Sequence, residues 1–107
     1  MDKTVDKSIK EYISLIQGKF SNIKEVYVFG SQAKGNTNYE SDIDLAIIFE
    51  EVNEDQRFDL QVQLMMLASQ IDSRIEPHPI SFSEFQSGNP FAVEIKKTGL
   101  EILKEAS

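Results

Sequence analysis

Four residues at fixed spacing carry the strongest chemical signal in this chain: Gly30-Ser31, ten intervening residues, then Asp42-x-Asp44. The aspartates open the apolar run Ile43-Asp44-Leu45-Ala46-Ile47-Ile48-Phe49, which reads as a strand over Asp42–Phe49. Strand side chains alternate, so Asp42 and Asp44 share one face while Ile43, Leu45 and Ile47 point to the other, into the core. Two carboxylates about 4 Å apart at an effective dielectric of about 20 repel by about 4 kcal/mol. A divalent cation removes that conflict. Oxygen ligands without cysteine or paired histidine favour Mg²⁺ or Mn²⁺ over Zn²⁺.

Gly30-Ser31 follows a second short run of β-branched and aromatic residues, Glu25–Phe29. Glycine lets the backbone approach a ligand closely. Gln32-Ala33-Lys34 can open a helical turn whose amides, with the Ser31 hydroxyl, attract an anion. Lys34 adds a point charge, and Gly35 permits the turn back toward the second strand. With each residue type at roughly 6% usage, four fixed positions match by chance in about one chain per thousand of this length. A phosphate cradle beside a metal-binding carboxylate pair is what transfer of a phosphoryl-type group requires.

The surrounding elements follow from periodicity. Val5, Ile9, Tyr12, Ile13 and Ile16 predict an amphipathic helix over residues 4–17, with Gly18 as its stop. Residues 54–72 predict a second long helix capped by Asn53, with Gln56 three residues on. Leu60, Leu64, Leu67 and Ile71 form its stripe. Phe58, Val62, Met65 and Met66 widen it, either into core on two sides or into a partner surface. Arg74–Phe82 reads as a strand, and Pro77 and Pro79 confine it to a sheet edge or bulge. Asn89-Pro90 starts a short helix that Gly99 closes, and Leu100–Leu103 is a last strand. This order predicts an α+β fold: a small mixed sheet of about four strands with helices mainly on one face.

Bulk properties exclude several classes. The 107 residues suit one domain spanning 1–107. No apolar run approaches the roughly 18 residues of a membrane span. No apolar leader segment follows the N-terminus and cysteine is absent, so a cytoplasmic location is expected. The net charge of −7 disfavours direct nucleic-acid binding, which rests mainly on Lys/Arg counterion release. A basic protein partner suits the surface better, although an acidic surface also serves solubility.

The segment from Val28 to Phe49 closely resembles the signature of the DNA polymerase β-like nucleotidyltransferase superfamily, particularly its minimal nucleotidyltransferases. The matching residues are Gly30, Ser31, Ala33, Gly35, Ser41, Asp42, Asp44 and Leu45. The resemblance implies the polymerase β-like fold, ATP as substrate, a pair of Mg²⁺ ions on the carboxylates, and nucleotide contacts from Gly30, Ser31, Lys34 and Ser41. It also implies a third carboxylate on a following strand, acting as base toward the attacking hydroxyl. Glu76 stands where that group is expected, although Asp is more usual there and Pro77 is an unusual successor; Asp72 is the fallback. His78 shares the face of Glu76 but reads more readily as a surface or satisfied histidine. Tyr39 lies in the loop, where it packs or stacks on a base.

Stand-alone members of this kind pair with HEPN-domain toxins and act as antitoxins by adenylylating a tyrosine of the toxin. The expected partners are thus ATP and a HEPN-domain protein, in a homo- or hetero-oligomer. Two alternatives stay open. One is a non-catalytic or nucleotide-sensing module that masks its partner. The other is a small-molecule transferase of the aminoglycoside type, disfavoured because those enzymes carry an additional acceptor-binding domain.

Overall fold

The computed structural model describes residues 2–35 and 41–104, so Tyr39 lies outside the described residues. Helix α1, Lys3–Lys19, is capped by Asp2, whose carboxylate accepts from the amides of Thr4 and Val5 at 2.7 and 3.1 Å. It buries Val5, Ile9, Tyr12, Ile13 and Ile16, the predicted stripe. It also runs through Gly18 to Lys19, where the chain turns out so that Phe20 packs edge-on against Phe49.

Strand β1 is Ile23–Phe29, the short helix α2 is Ser31–Lys34, and strand β2 is Ile43–Phe49. A 3₁₀ turn, Glu54–Gln56, then leads into α3, Arg57–Ile71. Asn53 caps the turn rather than α3 itself, accepting from the Asp55 amide at 2.9 Å. Strand β3 is Ile75–Ser81, followed by α4, Phe82–Gln86, α5, Pro90–Thr98, and β4, Leu100–Lys104.

The strand order is β3-β2-β1-β4. β1 runs antiparallel to both β2 and β4, whereas β2 and β3 are parallel, joined by the α3 crossover. The sheet is therefore mixed, as predicted. β3 is an edge strand, where Pro77 and Pro79 forfeit no ladder bond. Its carbonyls at those positions accept from α3: Gln61 Nε2 donates to Pro77 O and Arg57 Nη1 to Pro79 O, both at 2.9 Å. Arg57 also pairs with Glu54 and Glu84.

The long helices α1 and α3 cover one face, against Ile43, Leu45 and Ile47. Tyr12 is fully buried between them, its hydroxyl donating to Leu64 O at 2.9 Å. Short helices α4 and α5 cover much of the other face, where Phe85, Ala92 and Ile95 pack on Ala46, Ile48 and Ile80. Helix α4 was not foreseen, though Ser81-Phe82-Ser83-Glu84 spells a capping box and Ser81 and Glu84 form one. Gly99 ends α5 in extended conformation. A side chain there would put its Cβ 2.5 Å from Ile95 O and 3.2 Å from Val28 O, so close approach, not a left-handed turn, requires glycine.

The wide stripe of α3 resolves into two faces. Leu64 and Ala68 are buried and Leu60, Leu67 and Ile71 partly so, while Phe58, Val62, Met65 and Met66 are exposed. Only one side of α3 meets the core, and Phe58, Val62, Met65 and Met66 leave an apolar surface on its outer side.

Candidate functional site

Antiparallel β1–β2 pairing and parallel β2–β3 pairing bring the end of β1 and the starts of β2 and β3 to the same end of the sheet. The register aligns Phe29 with Asp44 and Asp44 with Glu76. Paired residues point to the same face, so these three side chains form one row across the strands. In the next row Tyr27, Ala46 and His78 are aligned.

The Asp44 carboxylate is held on both sides. Its Oδ1 lies 3.2 Å from His78 Nε2. Its Oδ2 lies against Gly30, where an added Cβ would sit 2.8 Å away. Gly30 has φ 72° and ψ −149°, a backbone conformation essentially confined to glycine. The turn glycine is thus required by conformation and by the aspartate beside it. Ser31 opens α2 directly after it, and Lys34 is exposed at the other end of that helix. Gln32, buried at 4% exposure, donates from Nε2 to Ser41 O at 3.3 Å and ties the turn to the approach to β2. Sequence reading missed Gln32, since a polar residue inside a turn gives no signal of burial.

Asp42 is exposed, one residue before the observed start of β2 at Ile43. Glu76 is exposed on β3. Its carboxyl titrates above the usual carboxylate range, through partial desolvation first and then through the negative charges of Asp42 and Asp44; His78 opposes the shift. Asp72 lies elsewhere. It ends α3, accepts from Ser8 Oγ at 2.8 Å and pairs with Arg74 at 2.8 Å, and these contacts hold its carboxyl well below the usual range. Asp72 fastens α1 to the entry of β3, and Glu76 is the carboxylate placed beside Asp44.

His78 belongs to the same cluster. One donor atom each from Asp44, Glu76 and His78 lie within 4.8 Å of one another. The imidazole meets Phe29 and Phe91 edge-on, with centroids 5.2 and 6.3 Å away. Phe91 comes from α5, and Phe29 and Phe91 also touch, 5.4 Å apart. His78 is part-exposed and meets Asp44 at hydrogen-bond distance, in keeping with a satisfied histidine that also adjoins the acidic row. The signal available was its spacing of two from Glu76. The convergence of carboxylates from two strands fits a hard divalent cation, which one proton could not neutralise.

A cleft of about 470 Å³ lies at the opposite end of the sheet, lined by Phe20, Phe49, Val52 and Leu60 among others. It contains none of Asp42, Asp44 and Glu76, so its size says nothing about the chemistry.

A glycine-serine turn after the first strand, facing an acidic row on the next two, defines a polymerase β-like nucleotidyltransferase fold. The chain belongs to the family described as polymerase beta, nucleotidyltransferase, which matches residues 8–107. A relative from Methanocaldococcus jannaschii, named "putative protein adenylyltransferase MJ0604", is 37% identical over 62 residues, covering 57% of this chain and 61% of its own length. The match thus spans under two thirds of that relative. A crystal structure from Sulfolobus solfataricus, described as a "putative nucleotidyltransferase", superposes with a TM-score of 0.65 at 24% identity, over 98% of this chain and 91% of that one. A Shewanella oneidensis complex, a tri-AMPylated HEPN toxin with its MNT antitoxin, gives 0.58 at 18% identity, over 94% and 73%. Among the described residues, no helix is long and apolar enough to cross a membrane.

Proposed function

We propose that this chain transfers AMP from ATP to a hydroxyl of a protein partner, most specifically a tyrosine of a HEPN-domain toxin, and so serves as the antitoxin of a cytoplasmic pair. The carrying observation is the row that aligns Asp44 with Glu76 beside the Gly30-Ser31 turn. Asp42, Asp44 and Glu76 are the residues that would hold Mg²⁺, which when bound neutralises the triphosphate and polarises the α-phosphorus.

Gly30, Ser31 and Lys34 on the turn, with Ser41 on the approach to β2, are the residues that would contact the phosphates. The acceptor oxygen attacks the α-phosphorus, the bond to the oxygen bridging the β-phosphorus breaks, and pyrophosphate leaves. The acceptor proton goes to the Glu76 carboxylate, which stands beside Asp44 in the row. Two features support a macromolecular acceptor: the relative named as a protein adenylyltransferase and the likeness in fold to an antitoxin in complex with its toxin. The exposed Phe58, Val62, Met65 and Met66 of α3 offer a surface of the composition common at protein interfaces.

The test is transfer of label from α-labelled ATP with Mg²⁺ to the co-encoded partner. Transfer is expected with the native chain and lost with Asp42→Ala plus Asp44→Ala. Label still transferred by the double variant would refute the reading.

A further inference from the structure

We propose that His78 is a direct nitrogen ligand of the divalent cation, so that this site takes Mn²⁺, or another imidazole-accepting cation, in preference to Mg²⁺. The inference rests on the proposed metal-dependent site and goes beyond its carboxylates. Three observations carry it. First, Asp44, Glu76 and His78 each bring one donor atom to within 4.8 Å of the others. Ligands about 2.1 Å from one ion lie about 3 Å apart when adjacent and about 4.2 Å when opposite, so the cluster closes on an ion with small side-chain rotations.

Second, Nε2 faces Asp44 Oδ1 at 3.2 Å, the separation of adjacent ligands on one ion. A proton on that nitrogen can serve one oxygen, whereas a cation between the groups serves Asp44 and Glu76 together. Third, the ring packs on one side against Phe29 from β1 and Phe91 from α5, with small Ala46 its neighbour in register on β2. Packing against two elements helps to orient a ligand. An oxygen-only set favours Mg²⁺; adding an imidazole shifts preference toward Mn²⁺ and later first-row ions.

The chain contains a single histidine, which makes the test unambiguous. Tag-free protein is loaded with Mn²⁺ alone, without nucleotide, and examined by electron spin-echo envelope modulation. The expected result is an imidazole ¹⁴N coupling that disappears in His78→Gln. Titration should show Mn²⁺ affinity falling on the order of tenfold in His78→Gln while Mg²⁺ affinity changes by less than about threefold. The wild-type spectrum decides the matter even where a variant fails to fold. Bound Mn²⁺ that depends on Asp44 yet shows no ¹⁴N coupling would overturn the ligand role and leave the transferase reading intact. Failure to bind Mn²⁺ at all would overturn it as well. Label transfer, measured separately, reports on the transferase reading alone.

Discussion

Gly30→Ala should be the most informative single substitution in the chain, because it separates two costs that meet at one atom. The first is conformational: at φ 72° and ψ −149° any side chain is strained, at about 1–3 kcal/mol. The second is steric. The new Cβ would lie 2.8 Å from Asp44 Oδ2, about 0.6 Å short of ordinary contact. Asp44 must give way, yet its other oxygen faces His78 Nε2, so the carboxylate leaves its rotamer at a further cost of about 0.5–1.5 kcal/mol. The total is about 2–4 kcal/mol, read by urea unfolding in metal-free buffer. Asp44→Ala removes the clashing oxygen and keeps the backbone strain. In that background Gly30→Ala should cost about 1 kcal/mol less, a coupling that a double-mutant cycle resolves. Equal costs in both backgrounds would refute the contact. A Gly30→Ala protein within about 0.5 kcal/mol of wild type would refute the strain argument altogether.

Four further outcomes are expected. Glu76 has a raised pKa in the folded chain, so its contribution to stability is present below its ordinary 4.5 and is lost as pH rises through the folded value. In metal-free buffer Glu76→Gln should therefore match wild type at pH 4 and exceed it at pH 7, by no more than about 1 kcal/mol for so exposed a group; thermal melts at the two pH values check this, and Mn²⁺ should cancel the advantage. Asp72 shifts the opposite way through Arg74, so its stabilisation is full above 3.8, declines as pH falls and is lost only as pH passes through the folded value well below that; Asp72→Asn should lower the melting temperature at pH 7 and do so by markedly less at pH 2. Glu25 is 9% exposed, its Oε2 has no hydrogen-bond partner among the described residues, and it shares the single Tyr27 hydroxyl proton with Glu101, so Glu25→Gln should raise stability by about 1–2 kcal/mol in denaturant titrations. Replacing Phe58 and Met66 by serine should leave Mn²⁺ binding unchanged while weakening capture of the partner by at least about tenfold in calorimetry, since such residues dominate interface energetics.

Much of the scaffold was legible because it depends on local pattern. The α1 stripe, the apolar β2 run and the prolines of β3 each encode their place, since periodicity and missing donors act within a few residues. Gly30-Ser31 and Asp42-x-Asp44 were legible for the same reason. Boundaries shifted where a distant contact intervened: α1 outlasted Gly18 because Phe20 found Phe49, and Asn53 capped a 3₁₀ turn instead of α3. Helix α4 was written in Ser81 and Glu84 but hidden by the strand character of the residues before it.

The sequence by itself determined a nucleotide-transfer signature and the elements that carry it, because four residues on one turn and one strand act at short range. Only the tertiary structure decided which later carboxylate joins them. Asp72 and Glu76 are four positions apart, yet Arg74 and Ser8 claim the first while parallel pairing with β2 sets the second beside Asp44. The same register, with Phe91 arriving from α5, turned His78 from a spare histidine into a neighbour of the acidic row. Strand pairing and packing between distant elements join residues that no local pattern relates, so the neighbours of Asp44 were set by the fold.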